Sequence, residues 1–105
     1  PGTPVYMAPE QLRGREIDQR VDIFAFGVTM YETLTGQKPF NGETSREVLL
    51  QQRNREQHFA VPRDLNPSIP EDVEQIILKC IEFDADRRYP HISYLVAELR
   101  KALYV

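Results

Sequence analysis

The chain has 105 residues, enough for one small domain or part of a larger one, so a second hydrophobic core is excluded. Hydrophobic residues make up 41% and charged residues 28%, values that fit a folded globular protein and exclude disordered and fibrous classes. The formal net charge is -3, and no basic run is long enough to follow a phosphate backbone, so nucleic acid is not an expected partner.

Cysteine, histidine and the apolar runs limit other kinds of site. The single Cys80 cannot form an internal disulfide and lies in an apolar stretch, which fits a reducing, cytoplasmic location. His58 and His91 lack the paired spacing of a zinc site. No run reaches the roughly 18 to 20 apolar residues that span a bilayer, and no signal-peptide pattern is present. Because the chain begins Pro1-Gly2 without Met, we expect a piece of a longer protein.

The first half of the chain is predicted to contain a loop and a long helix. GTPVYMAPEQLRG is interrupted by two prolines, which favours an irregular loop and then a short helical turn stopped at Gly14. A helix is predicted from Asp18 as N-cap to Thr35, with Gly36 as the left-handed residue after its end. Because it has almost no polar side, we expect burial on all faces. Its apolar residues are Val21, Ile23, Phe24, Ala25, Phe26, Val28, Met30, Tyr31 and Leu34.

Two capping patterns predict the next helices. Thr44 and Glu47 have capping-box spacing, so a thinly apolar surface helix is predicted over 45–53. Prolines in 57–69 favour a surface loop. Ser68 and Glu71 form a second box before one strongly periodic apolar face. That face consists of Val73, Ile76, Ile77, Cys80 and Ile81.

A last helix is predicted from about Pro90 to Leu103. Its expected buried side consists of Ile92, Leu95, Val96, Leu99, Ala102 and Leu103. No window alternates with period two between turn signals, so no sheet is expected. The predicted class is mainly α.

Four motifs occur in a fixed order: GTPVYMAPE at 2–10, DIFAFG at 22–27, GQKPF at 36–40 and DADRRYP at 84–90. Together they resemble the C-terminal part of the C-lobe of eukaryotic-type serine/threonine protein kinases, from the APE motif to the last helix. The resemblance covers essentially the whole chain and implies that 1–105 is a partial kinase domain. Phe24 stands where many kinases have Trp and Ala85 where many have Pro, so no subfamily is assigned.

Glu10 lies beside apolar residues in a proline-bounded loop, and a carboxylate held against a core needs a partner. The resemblance implies that this partner is Arg88, in a pair whose loss costs about 3 to 5 kcal/mol. The alternative is that both side chains are solvated.

Asp22 is an acid in an otherwise apolar helix. On composition alone it favours the positive end of the helix dipole, which is worth about 0.3 to 1 kcal/mol. The resemblance implies a sharper role, in which its carboxylate accepts backbone N–H bonds from a catalytic loop that this chain lacks. Gly27 ends the same motif and is expected to be structural.

The resemblance places Gly2, Thr3, Pro4 and Tyr6 along the groove that receives the peptide substrate. It also implies a supporting catalytic role for Thr3, near the catalytic Asp of the intact enzyme, and the GTPVY form favours Ser or Thr as the acceptor. The alternative is a Thr that only caps its own proline-rich turn.

Phosphoryl transfer needs a phosphate cradle, a Lys, magnesium ligands and a catalytic Asp. The sequence has no Gly-rich loop, VAIK-type strand, HRD-like loop or DFG, so the chain alone is expected to be inactive, without a cofactor. ATP and Mg are implied for the intact kinase. The implied partners are a Ser/Thr protein substrate and the remainder of the kinase domain, and exposed core faces are expected to cause self-association. Two alternatives are a pseudokinase scaffold and a free-standing helical interaction module.

Overall fold

The structure, a computed structural model, describes residues 4–104. Within this range seven α-helices and two 3-10 turns, Pro4–Tyr6 and Ala85–Arg87, follow one another without a strand, which confirms the mainly α class. The helices are α1 (Pro9–Leu12), α2 (Arg20–Thr35), α3 (Ser45–Arg53), α4 (Arg55–His58), α5 (Pro62–Leu65), α6 (Glu71–Cys80) and α7 (Ile92–Tyr104). None of them is long and apolar enough to cross a membrane.

Helix α2 runs through the centre of the molecule and contributes to three clusters of buried residues. Phe24 and Val28 pack in the first cluster, Ile23 in the second and Tyr31 in the third. Because all three clusters share this helix, the apolar sequence of α2 accounts for the position of the core.

The predicted cap at the C-terminal end of α2 is confirmed, but the prediction of Asp18 as its N-cap was wrong, because Gln19 occupies that position. The helix begins at Arg20, two residues after Asp18, but Asp18 Oδ1 still accepts the Arg20 backbone N–H at 2.9 Å. Gly36 has φ 76° and donates its N–H to the Glu32 carbonyl at 2.8 Å. Glycine adopts this left-handed conformation without steric cost, and the conformation ends the helix.

The expectation that α2 is buried on all faces was wrong. Asp22, Phe26, Thr29 and Thr33 are exposed, and their spacing of four, three and four residues places them on one stripe of the helix. Phe26 keeps 37% of its surface in solvent. Nothing within residues 4–104 covers this stripe, so apolar composition overstated the burial.

Helices α3 and α6 show one correct and one incorrect capping prediction. Thr44 Oγ1 accepts the Glu47 backbone N–H at 3.1 Å, and α3 has the predicted bounds. Before α6 the box is absent, because Pro70 occupies the N-cap and the N–H of Ser68 donates to Asn66 Oδ1 instead. The predicted apolar face of α6 and the residue after it is buried throughout, as expected.

The segment between α3 and α6 is more ordered than the predicted loop. Two one-turn helices, α4 and α5, occur in it, and α5 begins with Pro62 at its first position. Proline is well suited to that position because its missing N–H would have no helical partner there. Counting prolines therefore located the break between the long helices but missed these turns.

Helix α7 buries less of its apolar side than predicted. Leu95 is buried, whereas Ile92, Val96 and Leu103 keep 45%, 41% and 64% of their surface exposed. The helix packs on α6 and α2 through a narrower stripe that also includes Leu99 and Ala102.

Self-association of the isolated 105-residue chain stays a prediction, supported by the exposed apolar side chains of α7. Sedimentation velocity over a range of concentrations should show the sedimentation coefficient rising with concentration. Val96→Lys together with Leu103→Lys should reduce the rise, because charge opposes burial of this face. A concentration-independent monomer with a sharp cooperative melt would contradict the prediction.

Candidate substrate floor and its anchors

An ion pair between Glu10 and Arg88 joins the two ends of the chain. Glu10 lies in α1, and Arg88 directly follows the second 3-10 turn. Arg88 Nη1 donates to Glu10 Oε2 at 2.8 Å and Nη2 donates to Oε1 at 2.9 Å, which is a bidentate arrangement. The Arg88 side chain is fully buried and that of Glu10 is 15% exposed. The solvated alternative does not describe this pair.

The remaining donors of Arg88 are also satisfied. Its Nε donates to the Glu82 carbonyl at 2.8 Å, while Nη2 and Nη1 reach the carbonyls of Phe83 at 3.1 Å and Arg20 at 3.3 Å. The guanidinium carbon lies 4.9 Å from the centre of the Phe24 ring. A buried cation is stable only when it is paired in this way, and here it connects α1 to the start of α2 and to the segment that follows α6.

The carboxyl group of Glu10 is held in its charged form. Burial by itself raises its pKa, but hydrogen bonds from Arg88 and the backbone, with the charges of Arg88 and Arg20, outweigh burial. The pKa of Glu10 therefore lies below the ordinary value of 4.5. The Glu10 side chain is therefore ionised at neutral pH.

Residues 4–10 carry the predicted floor positions that the structure describes, Pro4 and Tyr6; Gly2 and Thr3 lie outside the described residues. The Tyr6 hydroxyl donates a hydrogen bond to the Glu32 carboxylate of α2, and this bond raises the pKa of Tyr6. The ammonium group of Lys38 lies 5.9 Å from the centre of the Tyr6 ring. Tyr6 is thus tied to α2.

A second side chain that the sequence did not single out also holds this segment. Gln52 of α3 is buried, and its Nε2 donates to the Met7 carbonyl at 2.8 Å. Residues 4–10 are therefore attached at three points: at Tyr6 to α2, at Met7 to α3 and at Glu10 to Arg88.

The other two predicted structural residues lie on different sides of α2. Asp22 is exposed, rather than buried as an acid in an apolar helix, and no side-chain hydrogen bond forms to it within residues 4–104. Gly27 is buried where α2 meets α6, and a Cβ added to it would lie 2.5 Å from Cys80 Cβ. Burial raises the pKa of the Cys80 thiol to about 12, so this thiol packs as a small apolar group.

The side chains that hold residues 4–10 do so through hydrogen bonds and an ion pair. No group of three or more His, Cys, Asp or Glu side chains in this range is arranged to hold a metal ion. The described residues therefore do not fit a magnesium site. What they provide is a loop, residues 4–10, that is attached to the rest of the molecule at three points.

A family model described as "Protein kinase domain" matches residues 1–100. The chain is 47% identical over 89 residues to "Tyrosine-protein kinase MasK" of Myxococcus xanthus, covering 85% of this chain and 14% of that protein. It is 41% identical over 87 residues to "DNA damage-responsive serine/threonine-protein kinase RqkA" of Deinococcus radiodurans, covering 83% and 13%. It is 37% identical over 101 residues to "Serine/threonine-protein kinase PrkC" of Bacillus subtilis, covering 96% and 15%. The chain spans only about one seventh of these relatives, yet the match extends over nearly all of it, and it belongs to the protein kinase family.

Proposed function

We propose that this chain forms the peptide-substrate floor and helical base of a protein serine/threonine kinase. The observation that supports this most is the three-point attachment of residues 4–10 through Tyr6, Met7 and Glu10. Such a loop can hold a peptide in a constant position, and phosphoryl transfer depends on positioning. Thr3, Gly2, Pro4 and Tyr6 would face the peptide, with Thr3 supporting the catalytic Asp of the intact domain.

The intact enzyme would transfer the terminal phosphoryl group of ATP, with Mg, to a hydroxyl group of a protein. When bound, ATP supplies the phosphoryl group and Mg neutralises its developing charge. The sequence lacks the phosphate cradle, the Lys and the magnesium ligands that they require, so we place both sites in the remainder of the kinase domain, together with the catalytic loop. That remainder would also cover the exposed stripe of α2, where Asp22 would accept its backbone N–H groups.

The acceptor is the part of this proposal on which the relatives differ. Two of the three relatives are named serine/threonine kinases, and the GTPVY form agrees with them. A tyrosine acceptor is the second candidate, because the relative with 47% identity is named a tyrosine kinase.

Radiolabelled ATP and peptide libraries with a fixed central Ser, Thr or Tyr would test the acceptor on the full-length protein that contains this chain. We expect incorporation into Ser and Thr libraries, and none above a mock preparation for the isolated 105-residue chain. Preferential Tyr labelling would support the second candidate. If the full-length protein binds peptides but labels none of them, it is a pseudokinase scaffold. Kinase activity of the isolated chain would contradict the proposal that the catalytic residues lie in the remainder of the domain.

Tyr6→Phe in the full-length kinase removes the hydroxyl group that holds the substrate floor on α2. A hydrogen bond to a charged group is worth about 1.5 to 3 kcal/mol, so we expect kcat/KM for a peptide to fall about tenfold or more. Tyr94→Phe is the matched control, because Tyr94 is 58% exposed on α7. If the wild type and Tyr6→Phe have equal kcat/KM and equal melting temperatures, the Tyr6 hydroxyl group does not position the substrate floor.

Helix α3 also offers a surface for protein partners. Leu50 is 50% exposed and Leu49 is half-buried, so one apolar side chain is available for docking. We propose this docking role alongside the floor, and it does not depend on the acceptor.

A further inference from the structure

A polar groove of about 350 Å³ lies between the end of α3, the short helix α4 and the segment that follows α6. Its walls include Gln52, Arg53, Glu56, Glu82, Phe83 and Arg87. The groove is separate from the proposed substrate floor, although Gln52 also contacts the back of that floor through Met7.

Positive charge in this groove exceeds what the neighbouring carboxylates neutralise. Arg55 is not available to a ligand, because it pairs with Glu82 at 3.0 Å and donates hydrogen bonds to two backbone carbonyls. Arg53 and Arg87, by contrast, have no carboxylate within 4 Å among residues 4–104. The remaining acid, Glu56, can offset only one of these two charges.

Phe83 places two guanidinium groups against one ring. The guanidinium carbon of Arg53 lies 5.4 Å from the ring centre and that of Arg13 lies 5.7 Å from it. Stacking of this kind restricts a long side chain and keeps its N–H groups free for a ligand. Positive charge is therefore concentrated beside the groove in a restricted arrangement.

A buried acceptor without a partner is the second observation at this groove. Gln52 is 2% exposed and lines the groove, and its Oε1 is buried and accepts no hydrogen bond from residues 4–104. Its Nε2 is used by the Met7 carbonyl, so exchanging the two amide atoms would place an oxygen against an oxygen. An unpaired buried acceptor is unfavourable, and an incoming N–H group would satisfy it.

We propose that this groove binds a phosphorylated side chain of a peptide. Arg53 and Arg87 would take the phosphoryl group, and Gln52 would have to turn its buried Oε1 toward the groove to accept a peptide N–H. Two unpaired guanidinium groups suit a phosphate monoester, which carries about -1.5 to -2 charges at pH 7, better than a single carboxylate. This proposal holds for either acceptor of the kinase reaction.

Fluorescence polarisation on the full-length protein that contains this chain, without ATP, tests the proposal. The probe is a fluorescein-labelled degenerate peptide library with a central phosphoserine, compared with libraries that carry Ser or Glu at that position. We expect the phosphoserine library to bind, the Ser library not to bind and the Glu library to bind more weakly. Equal binding of all three libraries, or full displacement by inorganic phosphate at the concentration of the probe, would overturn the proposal.

Variants locate the binding on this surface. Arg53→Gln and Arg87→Gln should each weaken binding of the phosphoserine library about tenfold or more, whereas Arg100→Gln on α7 should leave it unchanged. Arg87 makes no side-chain hydrogen bond or ion pair within residues 4–104, so Arg87→Gln keeps the test valid if Arg53→Gln disturbs packing on Phe83. Unchanged binding in both groove variants would place the phosphopeptide elsewhere and sink the inference.

Discussion

Replacing Arg88 with Ala is expected to lower the free energy of unfolding by about 3 to 5 kcal/mol. The substitution leaves the Glu10 carboxylate without its bidentate partner and removes the donor from three backbone carbonyls. Urea unfolding of the kinase domain, followed by circular dichroism, measures the change. If the variant is too unstable to purify, a fall in soluble yield relative to the control reports the same loss.

Arg87→Ala is the matched control, because Arg87 is the exposed neighbour of Arg88 and carries the same charge without these bonds. It should change the free energy of unfolding by about 0.5 kcal/mol or less. Arg88→Lys keeps the charge but cannot reproduce the planar fork, so it should resemble Arg88→Ala more than wild type. Equal stability of Arg88→Ala and Arg87→Ala would show that the pair does not hold the loop.

Arg88→Ala is also expected to change how the stability of the domain depends on acid pH. The pKa of Glu10 is lowered in the folded protein, so its contribution to stability is complete above the ordinary value of 4.5. That contribution is lost as the pH falls through the lower, folded pKa. In Arg88→Ala the lowering disappears, so this part of the acid destabilisation should be missing from a series of unfolding curves between pH 7 and acid.

Gly27→Ala is expected to destabilise the domain by about 1 to 3 kcal/mol, although Ala favours helices more than Gly does. The new Cβ would lie 2.5 Å from Cys80 Cβ and 2.8 Å from Ile81 Cγ2. These atoms belong to the packed contact of α2 with α6, so the two helices must separate. The melting temperature should therefore fall by several degrees, where helix propensity alone predicts a rise.

Gly36→Ala separates this clash from an ordinary backbone effect. Gly36 has φ 76° and nothing within 4 Å of an added Cβ, so its substitution costs only the left-handed conformation, about 1 kcal/mol. We also expect Gly27→Ala to disturb the α2–α6 contact in amide hydrogen exchange, with faster exchange in both helices. A higher melting temperature for Gly27→Ala would mean that the helices do not approach this closely.

Features with local chemical causes were predictable from the sequence. Capping rules correctly predicted Thr44 at the start of α3 and Gly36 at the end of α2, and periodicity correctly predicted the buried face of α6. The pairing of Glu10 with Arg88 could not follow from periodicity, because the two residues are far apart in the chain; the ordered motifs of the resemblance pointed to it.

The misses have a common physical origin in tertiary packing. Glu32 and Gln52 are polar residues within helices, and nothing in their spacing signals that each holds residues 4–10. The apolar composition of α2 predicted burial of Asp22 and Phe26, but both are exposed. Composition measures how apolar a helix is and does not show which of its sides is covered. Ser68 matched a capping box, but Pro70 at the N-cap displaced it.

The Glu10 to Arg88 pair spans 78 residues, and this separation sets an order for folding during synthesis. A contact of such long range forms slowly, because much of the chain must be ordered first. Residues 4–10 leave the ribosome well before Arg88 has been made, and until then the carboxylate of Glu10 has no buried cation to meet. The loop that precedes α2 therefore gains the last of its three attachments only after Arg88 has been made.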